Sequence, residues 1–250
     1  MNDIRTIDAQ IAEKHLLKHP FYEAWTAGTL PREALLDYAG QYYAFESNLP
    51  RYLTALHSRC EDASVRAVLL ANAWDEEHGA NNHPELWLRF GEALGLERGQ
   101  ITGARLNGAT RALVDTYRRA AHEAPVEAGI AAIYAYESQL PAVAAAKIEG
   151  LKKHYGFDGR FDGRFDGRVD ARDGLAFFEV HRTLDVHHAA EERRIVEGAM
   201  ARRSGSSAGA NGDAVVEWTD RALGAWWDFL SAVYPVAGSA NLMSRIASLN

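Results

Sequence analysis

The chain has 250 residues, 47% of them hydrophobic and 24% charged, so it can bury a core and is not a disordered polymer. Its 27 basic and 34 acidic residues give a formal net charge of -7 and are well mixed, which leaves no basic stripe for phosphate backbones and argues against nucleic acid as a partner. The lone Cys60 rules out an internal disulfide and a thiolate metal site, so any metal must be held by nitrogen and oxygen.

Apolar residues recur at spacings of three and four, with no convincing run of period two, which predicts an all-α fold. A first helix is expected over about residues 3 to 17, with Ile4, Ile7, Ile11 and Leu17 on one side. A short helix from Phe21 to Ala27 stops at Gly28, a residue suited to the left-handed C-cap. Pro31 opens the next helix, which runs to about His57 with a kink at Pro50. Another begins near Asp62 or Ser64 and reaches at least Gly79, after which Pro84 bends it or starts a segment ending at Gly95. Asn107 and Gly108 mark a turn before a helix of about residues 109 to 122. Pro125 then opens a long helix through Lys153, interrupted at Pro141.

Residues 157 to 168 read FDGRFDGRFDGR, a four-residue unit that lacks the closing glutamate of a calcium loop and reads as a flexible loop within about 156–174. A strongly periodic helix is expected from Leu175 to Met200, then a Ser/Gly-rich loop at 204–212, a last long helix from Asp213 to Tyr234, and a loosely held tail. Together these predict about seven long helices in a single domain, a helical bundle over residues 1–250. No apolar run of about 18 residues and no signal-peptide start are present, so neither a membrane partner nor export is expected, and the protein is read as cytoplasmic.

Three polar intrusions into apolar stripes carry the functional signal. In LAFFEVHRTLDVHHAAEERRIVEGAM, at about 100° per residue, Phe178, His181, Leu184, Asp185, His188, Ile195 and Val196 share one face. The H-x3-D-x2-H spacing points His181, Asp185 and His188 in nearly one direction, and a buried carboxylate there needs a cation or dense hydrogen bonding. In VRAVLLANAWDEEHGANNHPELW, Glu76 shares a stripe with Val65, Val68, Leu69 and Asn72, and His83 follows seven residues later, within about 20°. A regular helix would separate Glu76 and His83 by roughly 10 Å, so they serve different ions or the helix unwinds near Gly79. The neighbouring Glu77 and His78 read as solvated surface. Glu137, after Ile130, Ile133 and Tyr134, is a carboxylate in a helix otherwise built of alanine and aliphatic residues. Hydrogen-bonded polar clusters in helix interfaces are the plainer reading of each intrusion alone. Summed, three carboxylates and three imidazoles without thiolate suit a pair of iron ions, or iron with manganese, on facing helices.

The order of these residues resembles the haem-oxygenase-like diiron oxidases, whose pattern is E-x6-H, a lone E, then H-x3-D/E-x2-H. Within that superfamily the chain looks most like the CADD branch of the TenA/PqqC-like group, through HPFYEAW, YAGQYY, DEEHGANNH, YESQLPAVAAAKIEGL and HRTLDVHHAAEE. The resemblance implies a seven-helix haem-oxygenase-like fold and a dimetal oxygenase, using dioxygen and an external reductant, that supplies para-aminobenzoate for folate. In that family a tyrosine supplies the ring and a lysine the amino nitrogen; by motif these are Tyr22 and Lys147, with Tyr38 and Tyr136 as radical relays. Spacing alone reads Lys147 as a solvent-seeking lysine and Tyr22 as a packed aromatic. Other readings are a diiron oxygenase of a separate small molecule, a cofactor-free TenA/PqqC-like enzyme and a non-enzymatic interaction protein. A TenA-type nucleophile would have to be Cys60, which lies outside the ligand helices. A homodimer is expected for an enzyme of this size.

Overall fold

In the computed structural model, residues 3–158, 171–201 and 209–234 are described, and among them no strand occurs. Short polar side chains start many of the helices: Asp3 accepts from the Arg5 amide at α1 (Ile4–Glu13), and His19 from the Phe21 amide at α2 (Pro20–Ala27). A 3-10 turn, Leu16–Lys18, joins the two, so the first expected helix is cut short at Glu13. α2 stops at Gly28, at φ 71°.

The helix expected from Pro31 to His57 is two, α3 (Arg32–Glu46) and α4 (Leu49–Arg59), broken at Ser47 and Asn48, just before Pro50. Asp62 caps α5 (Ala63–Glu77), and Asn82 caps α6 (His83–Ala93). A short α7 (Arg98–Thr102), not expected from the sequence, precedes α8 (Gly108–His122). The long helix expected from Pro125 also divides, into α9 (Val126–Glu137) and α10 (Leu140–His154). α11 (Ala171–Ala201) and α12 (Gly209–Val233) each begin about four residues before their expected starts. Most of the FDGR repeat (159–168), residues 204–208 of the Ser/Gly-rich loop and the tail (235–250) lie outside the described residues, whereas 209–212, expected in that loop, belong to α12.

Among the described residues there are therefore twelve α-helical segments where about seven long helices were expected, and counting each pair separated by only two residues once gives ten. The excess has a physical cause. Prolines at the second position of α4, α6 and α10 lack an amide hydrogen and restart helices rather than bending them.

α9 is the axis of the assembly. Every residue from Ala128 to Glu137 is buried, and the helix packs on α4, α8, α11 and α12. α11 in turn packs on α6, α9 and α10, which brings its inward face to the ends of α5 and α9. No helix among the described residues is long and apolar enough to cross a membrane.

Candidate functional site

Glu76 is buried near the end of α5, which stops at Glu77. Gly79, at φ 82°, reverses the chain in a conformation that side chains disfavour, and Asn82 starts α6 so that His83 is its first residue. Of the two alternatives the spacing allows, the helix breaks: His83 Nδ1 lies 2.9 Å from Glu76 Oε2. Neither atom has a hydrogen-bond partner, which leaves a lone pair on each free to share one cation. Glu77 and His78 are exposed, as expected.

His181 on α11 sits beside this pair. Its Nδ1 is 2.7 Å from the Phe177 carbonyl, which only accepts, so Nδ1 carries the proton and Nε2 is left with a lone pair and no partner. Glu46, the last residue of α3, completes a group: Glu46, Glu76, His83 and His181 each offer one atom within 4.8 Å of the others. Glu137, Asp185 and His188 form a second such group. His188 Nδ1 is 3.7 Å from Asp185 Oδ1 and 3.9 Å from Glu137 Oε2, while Nε2 is 3.1 Å from Asp75 Oδ2. The Asn72 amide donates to both Glu137 oxygens, at 3.1 and 3.2 Å, and to Glu192 Oε1 at 3.3 Å.

Burial pushes the Glu46, Glu76, Asp185 and Glu192 carboxyls above the ordinary range, and burial with the Asp185 charge lifts Glu137 to about 8. Burial also lowers His83 and His181. Burial opposes the cation at His188 as well, but contact with Asp185, the Glu137 charge and Asp75 outweigh it and raise the ring to about 9. So many anionic groups in one dry region call for cations. Glu46, Glu76 Oε2, His83 Nδ1, His181 Nε2, Asp185 Oδ2 and His188 Nδ1 are all buried ligand atoms without partners, and this nitrogen and oxygen donor set fits two ions of the iron or manganese type.

Near Glu46 and His181 of the first group lies Lys147, only 2% exposed. Its Nζ donates to the Tyr38 hydroxyl at 2.7 Å and stands 5.5 Å from the centroid of the Tyr22 ring. The Tyr22 and Tyr38 hydroxyls are 3.4 Å apart. Burial lowers the Lys147 amine to about 7, partly countered by Glu46. The surface lysine that spacing suggests is thus corrected: the break at Ser138 and Gln139 resets α10 and turns Lys147 inward. Tyr136 pairs through its hydroxyl with Tyr42, and its ring stacks on Trp226 at 4.5 Å and 8°.

A model of the TENA/THI-4/PQQC family matches residues 4–183. The chain belongs to that family. Relatives named 4-aminobenzoate synthase include one from Chlamydia pneumoniae, 35% identical over 229 residues, covering 92% of this chain and 93% of the relative. Another, from Nitrosomonas europaea, is 38% identical over 237 residues, covering 91% and 89%. Among solved structures, a TenA homologue from Pseudomonas syringae superposes with a TM-score of 0.75 at 12% identity, over 93% of this chain and 91% of the other. A CADD-like protein from Nostoc punctiforme gives 0.61 at 18%, over 92% and 97%. The haem-oxygenase-like fold and the CADD resemblance expected from the sequence both hold.

In this TENA/THI-4/PQQC protein, the structure brings all six expected ligands into two adjoining groups and sets Tyr22, Tyr38 and Lys147 together. Sequence reasoning missed Glu46, Asp75, Tyr42 and Glu192. Glu192 extends the α11 stripe, four residues beyond His188, and continuing the pattern to H-x3-D-x2-H-x3-E would have found it. Cys60 lies at the end of α4 and belongs to neither group.

Proposed function

We propose that the protein is a non-haem dimetal oxygenase that makes para-aminobenzoate for folate, with Tyr22 supplying the ring and Lys147 the amino nitrogen. The observation that carries this reading is the Lys147 amine, buried near Glu46 and His181 of a metal-type ligand group and directly hydrogen-bonded to a tyrosine that touches Tyr22. Its relatives named 4-aminobenzoate synthase, which it matches over most of their length, support the product.

Glu76, His83 and His181 would hold one ion of an Fe/Fe or Fe/Mn pair, and Glu137, Asp185 and His188 the other. When bound, the pair supplies oxidising power from dioxygen, drawn with electrons from an external reductant. This chain's own residues prepare the organic side. A lysine that loses its proton near neutrality has a lone pair available for bonding to carbon, which an ammonium lacks. Tyr38 holds that amine at 2.7 Å and so fixes its position relative to the Tyr22 ring. Burial of Tyr22, Tyr38, Tyr42 and Tyr136 keeps water away and keeps all four phenols protonated. A homodimer is part of the proposal.

The test is isotopic. Protein carrying ring-labelled tyrosine and amine-labelled lysine, given iron, dioxygen and a reductant, is expected to yield doubly labelled para-aminobenzoate at no more than one molecule per chain. Many molecules per chain would favour an oxygenase of a separate substrate. Unlabelled product would remove Tyr22 and Lys147 from the reaction.

A further inference from the structure

Glu46 is the residue that neither protonation state satisfies. It ends α3 fully buried, and both of its carboxyl oxygens lack a hydrogen-bond partner. As an anion it would be an unpaired charge in a dry core, which costs several kcal/mol. As a neutral acid its O–H would find only the Tyr42 hydroxyl nearby, outside good hydrogen-bond geometry and already paired with Tyr136. One of its oxygens lies within 4.8 Å of the ligand atoms of Glu76, His83 and His181, whose own Glu76 Oε2, His83 Nδ1 and His181 Nε2 are likewise unpartnered. A cation among these four is the arrangement that satisfies them all.

We infer that Glu46 is a direct ligand of the ion in the first group, giving that ion four protein ligands against three for its neighbour. The inference rests on the dimetal reading. The asymmetry then has a functional meaning. The first ion is enclosed by two carboxylates and two imidazoles and binds first and tightest. The ion at Glu137, Asp185 and His188 keeps more positions open for exogenous ligands.

The experiment uses the full chain, stripped with a chelator and titrated with Mn(II) without oxygen, free Mn(II) being read by its paramagnetic resonance signal. The unaltered protein is expected to bind two ions with separated affinities. Glu46→Gln keeps the side chain's size but offers a far weaker ligand. It is expected to weaken the tighter step at least about tenfold, and Glu46→Asp less so. Stripped Glu46→Gln protein should melt no lower than the stripped parent, because an unsatisfied buried carboxyl has been removed. Parent and Glu46→Gln proteins binding two Mn(II) ions alike would overturn the assignment of Glu46 alone. So would a stripped Gln variant that melts lower or fails to fold, since that assigns the carboxyl a structural role. A parent that binds no Mn(II) would overturn this inference together with the dimetal reading.

Discussion

Lys147 is surrounded by aromatic faces, with its nitrogen 5.0 to 5.9 Å from the centroids of six rings, including Tyr22, Tyr38 and Trp87. Ring faces attract a cation, but they replace water poorly, and the loss of solvation dominates. The amine falls from an ordinary 10.5 to about 7, a gap worth up to about 5 kcal/mol. Because the folded pKa is depressed, the unfolded chain binds the extra proton between those values, and stability rises as pH climbs through that window. Lys147→Met is therefore expected to stabilise the fold at pH 7 by up to about 3 kcal/mol, after the lost Tyr38 hydrogen bond is offset. The gain should shrink towards pH 10.5, and thermal melts across that range check both sign and trend.

Tyr22→Phe removes one hydroxyl that is 3.4 Å from its partner and touches no ligand group, so metal content should stay at the parental level while para-aminobenzoate falls below detection. Persistent product measured by chromatography would reassign the ring donor. At this scale the sequence displays a buried ionisable residue only where a helix has a distinct polar face to contrast with it. α11 has one, with Arg182, Thr183, Val186 and His187 exposed, so His181, Asp185 and His188 stand out. α3 offers little such contrast, because much of it is buried, from Ala34 and Leu35 through Tyr38 to Phe45, and Glu46 passes unnoticed. Lys147 is obscured for a different reason: the helix break ahead of it shifts its direction.

Breaks between helices, more than helices themselves, build the site. Gly79 turns the chain between Glu76 and His83, and a Cβ there would meet nothing within 4 Å, so Gly79→Ala tests backbone conformation alone. It is expected to cost about 1 kcal/mol of stability and to weaken Mn(II) binding, as read by chemical denaturation and titration. Gly150 tests close approach instead. A Cβ at that position would lie 2.5 Å from Trp25 Cδ1, where α10 meets α2 and the Trp25 indole donates to the Lys147 carbonyl at 3.2 Å. Gly150→Ala should push α2 away at a cost of about 1 to 3 kcal/mol. Product formation should drop while metal content holds, since Tyr22 and Lys147 ride on the two helices that separate. Element type and most approximate limits are legible in the sequence from periodicity, Pro and Gly. Pro50 and Pro141 mark the places of the interruptions at 47–48 and 138–139, but not that each ends one helix and starts another at a new angle, because the packing of the following helix sets that angle.

For the whole molecule, the buried carboxyls tie stability to metal. In chelated protein, Glu137 holds its proton up to about 8 whereas the unfolded chain releases it near 4.5. Stability of the stripped protein should therefore fall by several kcal/mol as pH rises through that interval. Loaded protein is expected to show the opposite trend, because protons compete with cations for the same oxygens and ion affinity strengthens with pH. Melting temperatures with and without chelator at pH 5, 6, 7 and 8 decide it. Parallel curves would mean that cations do not occupy these carboxylates.

The ligands are also spread unevenly along the chain. Glu46, Glu76, His83 and Glu137 precede residue 140, whereas His181, Asp185 and His188 all belong to α11, in the last third of the sequence. A nascent polypeptide that has left the ribosome only as far as α10 displays neither group complete. An ion that needs a complete group can therefore bind only after α11 has been made, so loading of such a site would follow, not accompany, most of synthesis.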